Sequence, residues 1–278
     1  MQRYVVGIGE ILWDMLPKGK MLGGAPANFA FHASRQGQNA IVVSAVGNDV
    51  LGNEILSFLE SHDINHKTQV NDHPTGEVNV TLDASGIPSY NIVENTAWDN
   101  IAFTPQLAQI ASQCSAVCFG SLAQRSAKSR QTIIEFLKAS PGDCLRVFDI
   151  NLRQHFFTRE IIEQSLNLCN ILKLNDEELI AITSMLSLGN NPCHELMQHY
   201  HIDTVIVTCG AYGSYVHTTD GTSFLPTPRV KVVDTVGAGD AFTATYIASI
   251  LNGDNITTAH QKAVDCAAYI CTHAGAIN

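Results

Sequence analysis

One feature constrains the fold more than any other. Short runs rich in β-branched residues alternate with longer segments whose apolar residues recur every three or four positions. The runs at 3–9 (RYVVGIG), 40–46 (AIVVSAV), 116–120 (AVCFG), 145–150 (LRVFDI), 171–174 (ILKL), 204–210 (TVIVTCG) and 213–218 (GSYVHT) predict strands. Segments at 26–36, 52–61, 128–139 and 160–168 predict helices between most of them. Near-continuous apolar strands need cover on both faces, and strand–helix–strand order gives parallel pairing, so the expected class is α/β with a mostly parallel sheet between helices. One region breaks the rhythm. Between residues 76 and 92, two alternating-pattern strands flank a Ser85-Gly86 turn, which predicts an antiparallel hairpin inserted into the α/β body as a lid or dimerisation flap. With no linker-like tract in its 278 residues, the chain reads as one domain, 1–278.

Charge limits the partners. A formal net charge of -10 argues against general affinity for nucleic acid or anionic membrane, while leaving room for a local pocket that binds a small anion. No run of about 18 apolar residues would cross a bilayer, and the N-terminus goes into a short apolar run without the pattern of a secretory signal. The eight cysteines (114, 118, 144, 169, 193, 209, 266, 271) form no CxxC pair and no zinc-like spacing, so a reducing cytoplasm is the expected setting. The eleven histidines are not expected to build a structural metal site, because most of those outside apolar segments fall in polar or helix-end stretches.

The stretch DTVGAGDAF, Asp234 to Phe242, places tiny residues before a predicted helix over 241–253. A helix start offers unpaired N–H groups and the positive end of the helix dipole, and side chains no larger than a methyl let an anion approach. Gly237, Ala238 and Gly239 therefore form a candidate anion hole. Asp240 at its lip would repel phosphate and suits a base that takes a proton from an attacking hydroxyl; read alone, it is also a good N-cap.

A second glycine cluster, GGAPANFA at 23–30, brings Asn28 to another helix start, and GIGEILWD places Asp14 beyond the first strand. Carboxylate and amide side chains suit the neighbouring hydroxyls of a polyol. The glycines complete neither GxGxxG nor GxxxxGK[ST], so neither a dinucleotide fold nor a P-loop is expected.

Together, GGAPANFA with the following Gly37 and Gly47, and DTVGAGD, resemble the two signatures of the ribokinase-like (PfkB) family of carbohydrate kinases, in the right order and over nearly the whole chain. LKLNDEE resembles the family's NxxE motif, TCGAYGS its nucleotide loop, and PTGEVNVTLDASG its sugar-covering lid; GEILWD, GGAPAN and FDINLR are most similar to fructokinases. The resemblance implies a ribokinase-like three-layer αβα sandwich with a small inserted β lid formed by roughly 11–22 and 74–100. It implies transfer of the γ-phosphate of ATP to a primary hydroxyl of a small sugar, fructose first, with ribose, ketodeoxygluconate or a nucleoside as same-fold alternatives and a non-catalytic sugar- or nucleotide-binding protein as a different class.

Carried over residue by residue, Asp240 would be the base, with Gly237, Ala238 and Gly239 stabilising the transferred phosphoryl group. Asp14, Gly24, Asn28 and Arg153 would contact the sugar, and Thr208, Gly210 and Gly213 would pass beside the nucleotide. Asn175 and Glu178 would hold Mg2+ through water, although NDEE is also a good capping sequence. Asp234, the carbonyl of Val236, Ala274 and Gly275 would form a monovalent-cation (K+) site, and the lid would pair two copies as a homodimer. Thr245 departs from the second signature, and VDCAAY at 264–269 lacks an asparagine that ribokinases place near adenine.

Overall fold

The computed structural model describes residues 3–16, 19–82 and 88–277. Its strands, in chain order, are β1 (Tyr4–Ile8), β2 (Leu12–Leu16), β3 (Gly19–Gly23), β4 (Ala40–Gly47), β5 (His66–Asn71), β6 (Gly76–Leu82), β7 (Pro88–Ile92), β8 (Cys114–Phe119), β9 (Leu145–Asp149), β10 (Ile171–Asn175), β11 (Thr204–Thr208), β12 (Ser214–Thr218) and β13 (Gly221–Leu225). The helices are α1 (Ala25–Arg35), α2 (Val50–Ser61), α3 (Pro105–Ala111), α4 (Ala127–Ala139), α5 (Arg159–Leu166), α6 (Asp176–Leu186), α7 (Pro192–Tyr200), α8 (Ala238–Leu251) and α9 (Ile256–Ile270).

Nine strands form one sheet in the order β13-β12-β11-β10-β9-β8-β1-β4-β5. It is parallel from β5 to β11 and antiparallel at β12 and β13. All eight residues of β4 are buried, as a strand covered on both faces must be. Two apolar cores occupy the two faces. One gathers Leu107, Ile133, Phe136, Ile162 and Leu196 from α3, α4, α5 and α7; the other gathers Phe29, Ile55, Phe242, Tyr246 and Ala259 from α1, α2, α8 and α9. This is the three-layer αβα sandwich. Helix α8 has no polar stripe because it packs against both α1 and α9 as well as the sheet.

A second sheet has the order β3-β2-β6-β7: two antiparallel hairpins joined by parallel pairing of β2 with β6. The expected hairpin is present as β6 and β7, while its Ser85-Gly86 turn lies outside the described residues. Asp14 sits inside β2, paired with Met21 and Val78, instead of in a loop. The residues after β7 leave this sheet: Trp98 is fully buried in the main core and Asp99 is ion-paired with Arg125 there. Strand β5 was not expected from sequence, because HKTQVN is polar; it is an edge strand with one wet side.

Candidate active site

Parallel strands end together, so the residues after β1, β9, β10 and β11 converge at one rim of the large sheet. Helix α8 points its N-terminus at this rim. It begins at Ala238, three residues before the sequence boundary, with Gly237 at φ 78 as its N-cap. A side chain at Gly237 would overlap Ala276, so both the backbone conformation and the packing require glycine there. The early start puts Asp240 in the first turn of the helix, not at the cap.

Asp240 accepts a hydrogen bond from Asn28 Nδ2 at 2.8 Å. Asn28 is 4% exposed and belongs to α1, whose N-cap Gly24 has φ 118 and lies against the Glu10 carbonyl. Pro26 in the first turn fixes that helix start. Burial raises the Asp240 carboxyl to about 7, with the Asp149 carboxylate adding to the rise while Asn28, Lys173 and Arg153 oppose it. A carboxylate tuned near neutrality is suited to taking a proton from an alcohol as it attacks.

Beneath the glycine turn lies a buried ion pair that sequence reading did not single out. Lys173 Nζ donates to Asp149 Oδ1 at 3.0 Å, and Thr243 donates to Asp149 Oδ2 at 3.3 Å. A Cβ on Gly239 would stand 3.1 Å from Lys173 Nζ, so the ammonium sits directly behind the anion hole. Burial alone would push the Lys173 pKa down, but Asp149, Glu178 and Asp240 hold it above its ordinary value. Positive charge therefore reinforces the helix N-terminus where phosphate would gain negative charge. The signal was a lysine in the otherwise apolar strand ILKL.

Asp14 is half-buried, and burial raises its carboxyl while Arg153 lowers it. Arg153 is exposed, makes no ion pair among the described residues, and donates to the Leu152 carbonyl at 3.0 Å. Its charge also acts on Glu10 and Asp240, lowering the pKa of each.

Asn175 and Glu178 form a capping box on α6: Asn175 Oδ1 accepts from Glu178 N at 2.7 Å, and Glu178 Oε2 accepts from Asn175 N at 2.8 Å. Glu178 Oε1 takes the Leu152 N–H at 2.9 Å. With both carboxylate oxygens occupied, and no group of three His, Cys, Asp or Glu side chains converging on a metal position among the described residues, the donor set fits Mg2+ held through water and substrate phosphate but not a direct protein cage.

Asn175 pairs with Thr208 across β10 and β11, which sets the nucleotide-loop candidate beside the NxxE pair. Gly210 has φ 51, faces open space, and its carbonyl accepts from Thr227 at 2.6 Å. Gly213 is required for a different reason: φ 139 and contact with Leu225 and Phe224 of β13 leave no room for a side chain. Asp234 Oδ2 accepts from Gly275 N at 3.0 Å, while Oδ1 takes the Thr235 and Val236 N–H groups at 2.7 and 3.1 Å. The C-terminal segment around Ala274 is thereby pinned to the anion-hole turn.

Comparison with known proteins gives the family and the fold. The model of a pfkB family carbohydrate kinase matches residues 19–278. A fructokinase of Salmonella typhimurium is 30% identical over 257 residues, 87% of this chain and 83% of the relative. The crystal structure of a sugar kinase from Pyrococcus horikoshii in complex with ATP is 28% identical, with TM-score 0.80 and coverage of 97% of this chain and 92% of that one. A Vibrio cholerae fructokinase, solved with fructose, ADP and potassium ion bound, shares the fold at TM-score 0.82 and 23% identity, covering 100% of this chain and 94% of its own.

Proposed function

The chain belongs to the pfkB family of carbohydrate kinases, and on that premise we propose that it transfers the γ-phosphoryl group of ATP to a primary hydroxyl of a small sugar, with fructose the first candidate. The observation that carries this reading is the placing of Asp240 between Asn28 on one side and the Gly239–Lys173 anion hole on the other. A hydroxyl beside Asp240 loses its proton to the carboxylate as its oxygen attacks the γ-phosphorus. The N–H groups at the start of α8, with Lys173 behind Gly239, take up the charge that spreads over the phosphoryl oxygens. Asp14, Asn28 and Arg153 hold the sugar, and Thr208, Gly210 and Gly213 flank the nucleotide.

Mg2+ bound through water near Asn175 and Glu178 would neutralise phosphate charge. A monovalent cation beside Asp234, Val236, Ala274 and Gly275 would stiffen the turn that carries the anion hole. The small sheet of β2, β3, β6 and β7 would close over the sugar as a lid within a single-domain enzyme and is the candidate surface for pairing two copies. Fructose is supported by the Salmonella typhimurium relative. The experiment is ADP release from Mg-ATP across fructose, ribose, glucose, tagatose, ketodeoxygluconate and adenosine. Preference for fructose by at least about tenfold in kcat/KM supports the reading, since a pocket discriminates similar ligands by about 1–3 kcal/mol; preference for another acceptor replaces fructose by that acceptor.

A further inference from the structure

The link between β1 and β2 carries a carboxylate that the mechanism above does not use. Glu10 is 2% exposed, and its Oε2 has no hydrogen-bond partner among the described residues. The same is true of Asn28 Oδ1, whose amide nitrogen is already engaged with Asp240. Their elements adjoin: Gly24, at the head of α1, packs on the Glu10 backbone, and Asn28 follows one helical turn later. The Ala25 backbone at the start of α1 favours the ionised form of the Glu10 carboxyl. The charges of Asp240 and Arg153 both act on Glu10, one raising and one lowering its pKa.

An unpartnered buried carboxylate oxygen is costly, and a fold that keeps one beside its active site keeps it for a ligand that satisfies it. The chemistry of that ligand is restricted. With Glu10 ionised, its Oε2 and Asn28 Oδ1 are both acceptors and take two donors. Phosphate oxygens are acceptors too and would be repelled, which excludes the transferred group itself. Neighbouring hydroxyls on a neutral carbon skeleton supply two donors at the required closeness.

We propose that Glu10 is a sugar-binding residue whose Oε2 accepts a hydrogen bond from a hydroxyl other than the one phosphorylated, and that it sets which hydroxyl pattern the pocket accepts. The proposal rests on the sugar-kinase reading and deepens it. Burial lifts the Glu10 carboxyl to about 7, with Asp240 adding to the rise.

The test is a substrate-trimming cycle on the full-length enzyme. The preferred sugar and its monodeoxy analogues that retain the reacting hydroxyl are compared in wild type, Glu10→Leu and Glu10→Gln. One analogue is expected to lose at least tenfold in wild-type kcat/KM. In Glu10→Leu that ratio should shrink to within about threefold, through a higher KM for the intact sugar, with KM for ATP changed by less than threefold. Glu10→Gln keeps the shape and an acceptor oxygen, so its ratio for the same analogue should stay closer to wild type than that of Glu10→Leu; Glu10→Met, which keeps the length without the oxygens, serves where the leucine variant does not fold. If every analogue ratio matches wild type in a folded Glu10→Leu or Glu10→Met variant, Glu10 holds an internal water or only the start of α1, and the proposal is overturned. If wild type phosphorylates no sugar at all, it is the sugar-kinase reading that fails, an outcome separate from unchanged ratios in an active enzyme.

Discussion

Asn28 donates to Asp240 across 2.8 Å although the two stand 212 positions apart in the chain. The bond links the starts of α1 and α8, so the residue expected to touch sugar also tunes the residue expected to take its proton. A hydrogen bond given to an ionised carboxylate stabilises the charged form, and Asn28 accordingly lowers a pKa that burial has raised to about 7. Replacing Asn28 with Leu removes that stabilisation. The base works deprotonated, so kcat/KM should climb with pH around 7 in wild type, and the climb should move to higher pH in Asn28→Leu. A pH profile of kcat/KM checks this, because that parameter reports the free enzyme; an unmoved profile would detach Asn28 from the base.

Lys173 and Asp149 are nearly inaccessible, at 10% and 6% side-chain exposure. Replacing Lys173 with Met leaves Asp149 buried without its cation. Removing one partner of a buried pair costs about 3–5 kcal/mol, more than the pair itself contributes. Urea unfolding should show that loss, and combining the change with Asp149→Asn should recover part of it. Phosphoryl transfer should not recover in the double variant, since the charge behind Gly239 is still missing.

Gly237 adopts φ 78 and abuts Ala276. Gly237→Ala therefore combines left-handed strain, about 1–3 kcal/mol, with displacement of the C-terminal segment that Asp234 holds through Gly275. The expected result is a lower Tm together with a kcat loss larger than the change in KM for ATP. Gly210→Ala, at a position facing open space, should lose less stability through crowding, with only its φ of 51 opposing the change.

His32 and His260 are buried, and burial lowers both to about 4; His32 bonds the Ala276 carbonyl, and His260 lies between Ser214 and Ser223. In the unfolded chain a histidine titrates near 6.5. Between pH 6.5 and 4 the unfolded state thus binds more protons, and stability should fall as pH drops, by about 1.4 kcal/mol per pH unit for each histidine. Unfolding midpoints measured from pH 7 to pH 4 should show the decline, and His260→Gln should make it shallower.

The layers of the fold were legible in the sequence because buried parallel strands and amphipathic helices leave strong periodic marks. Strand β5 left none, since the pattern HKTQVN reflects an edge that one neighbour and water share. The glycine turn at the start of α8 was legible because Gly237 and Gly239 are local requirements, one of backbone conformation and one of close approach. Lys173 and Glu10 were not. A charge inside an apolar run is explained only by partners that folding brings in: Asp149, 24 residues before the lysine, and the head of α1 for the glutamate. Asn175 and Glu178 were readable both as a cap and as a metal-side pair, and the capping geometry is present.

The most direct measurement is ADP release from Mg-ATP and fructose by wild type and by Asp240→Asn, assayed side by side with ATP binding to each. The expected result is fructose-dependent turnover in wild type, a fall of at least about a hundredfold in the variant, and ATP affinity nearly unchanged. An Asp240→Asn protein that turns over at the wild-type rate would contradict the assignment of Asp240 as the base on which the whole site is built.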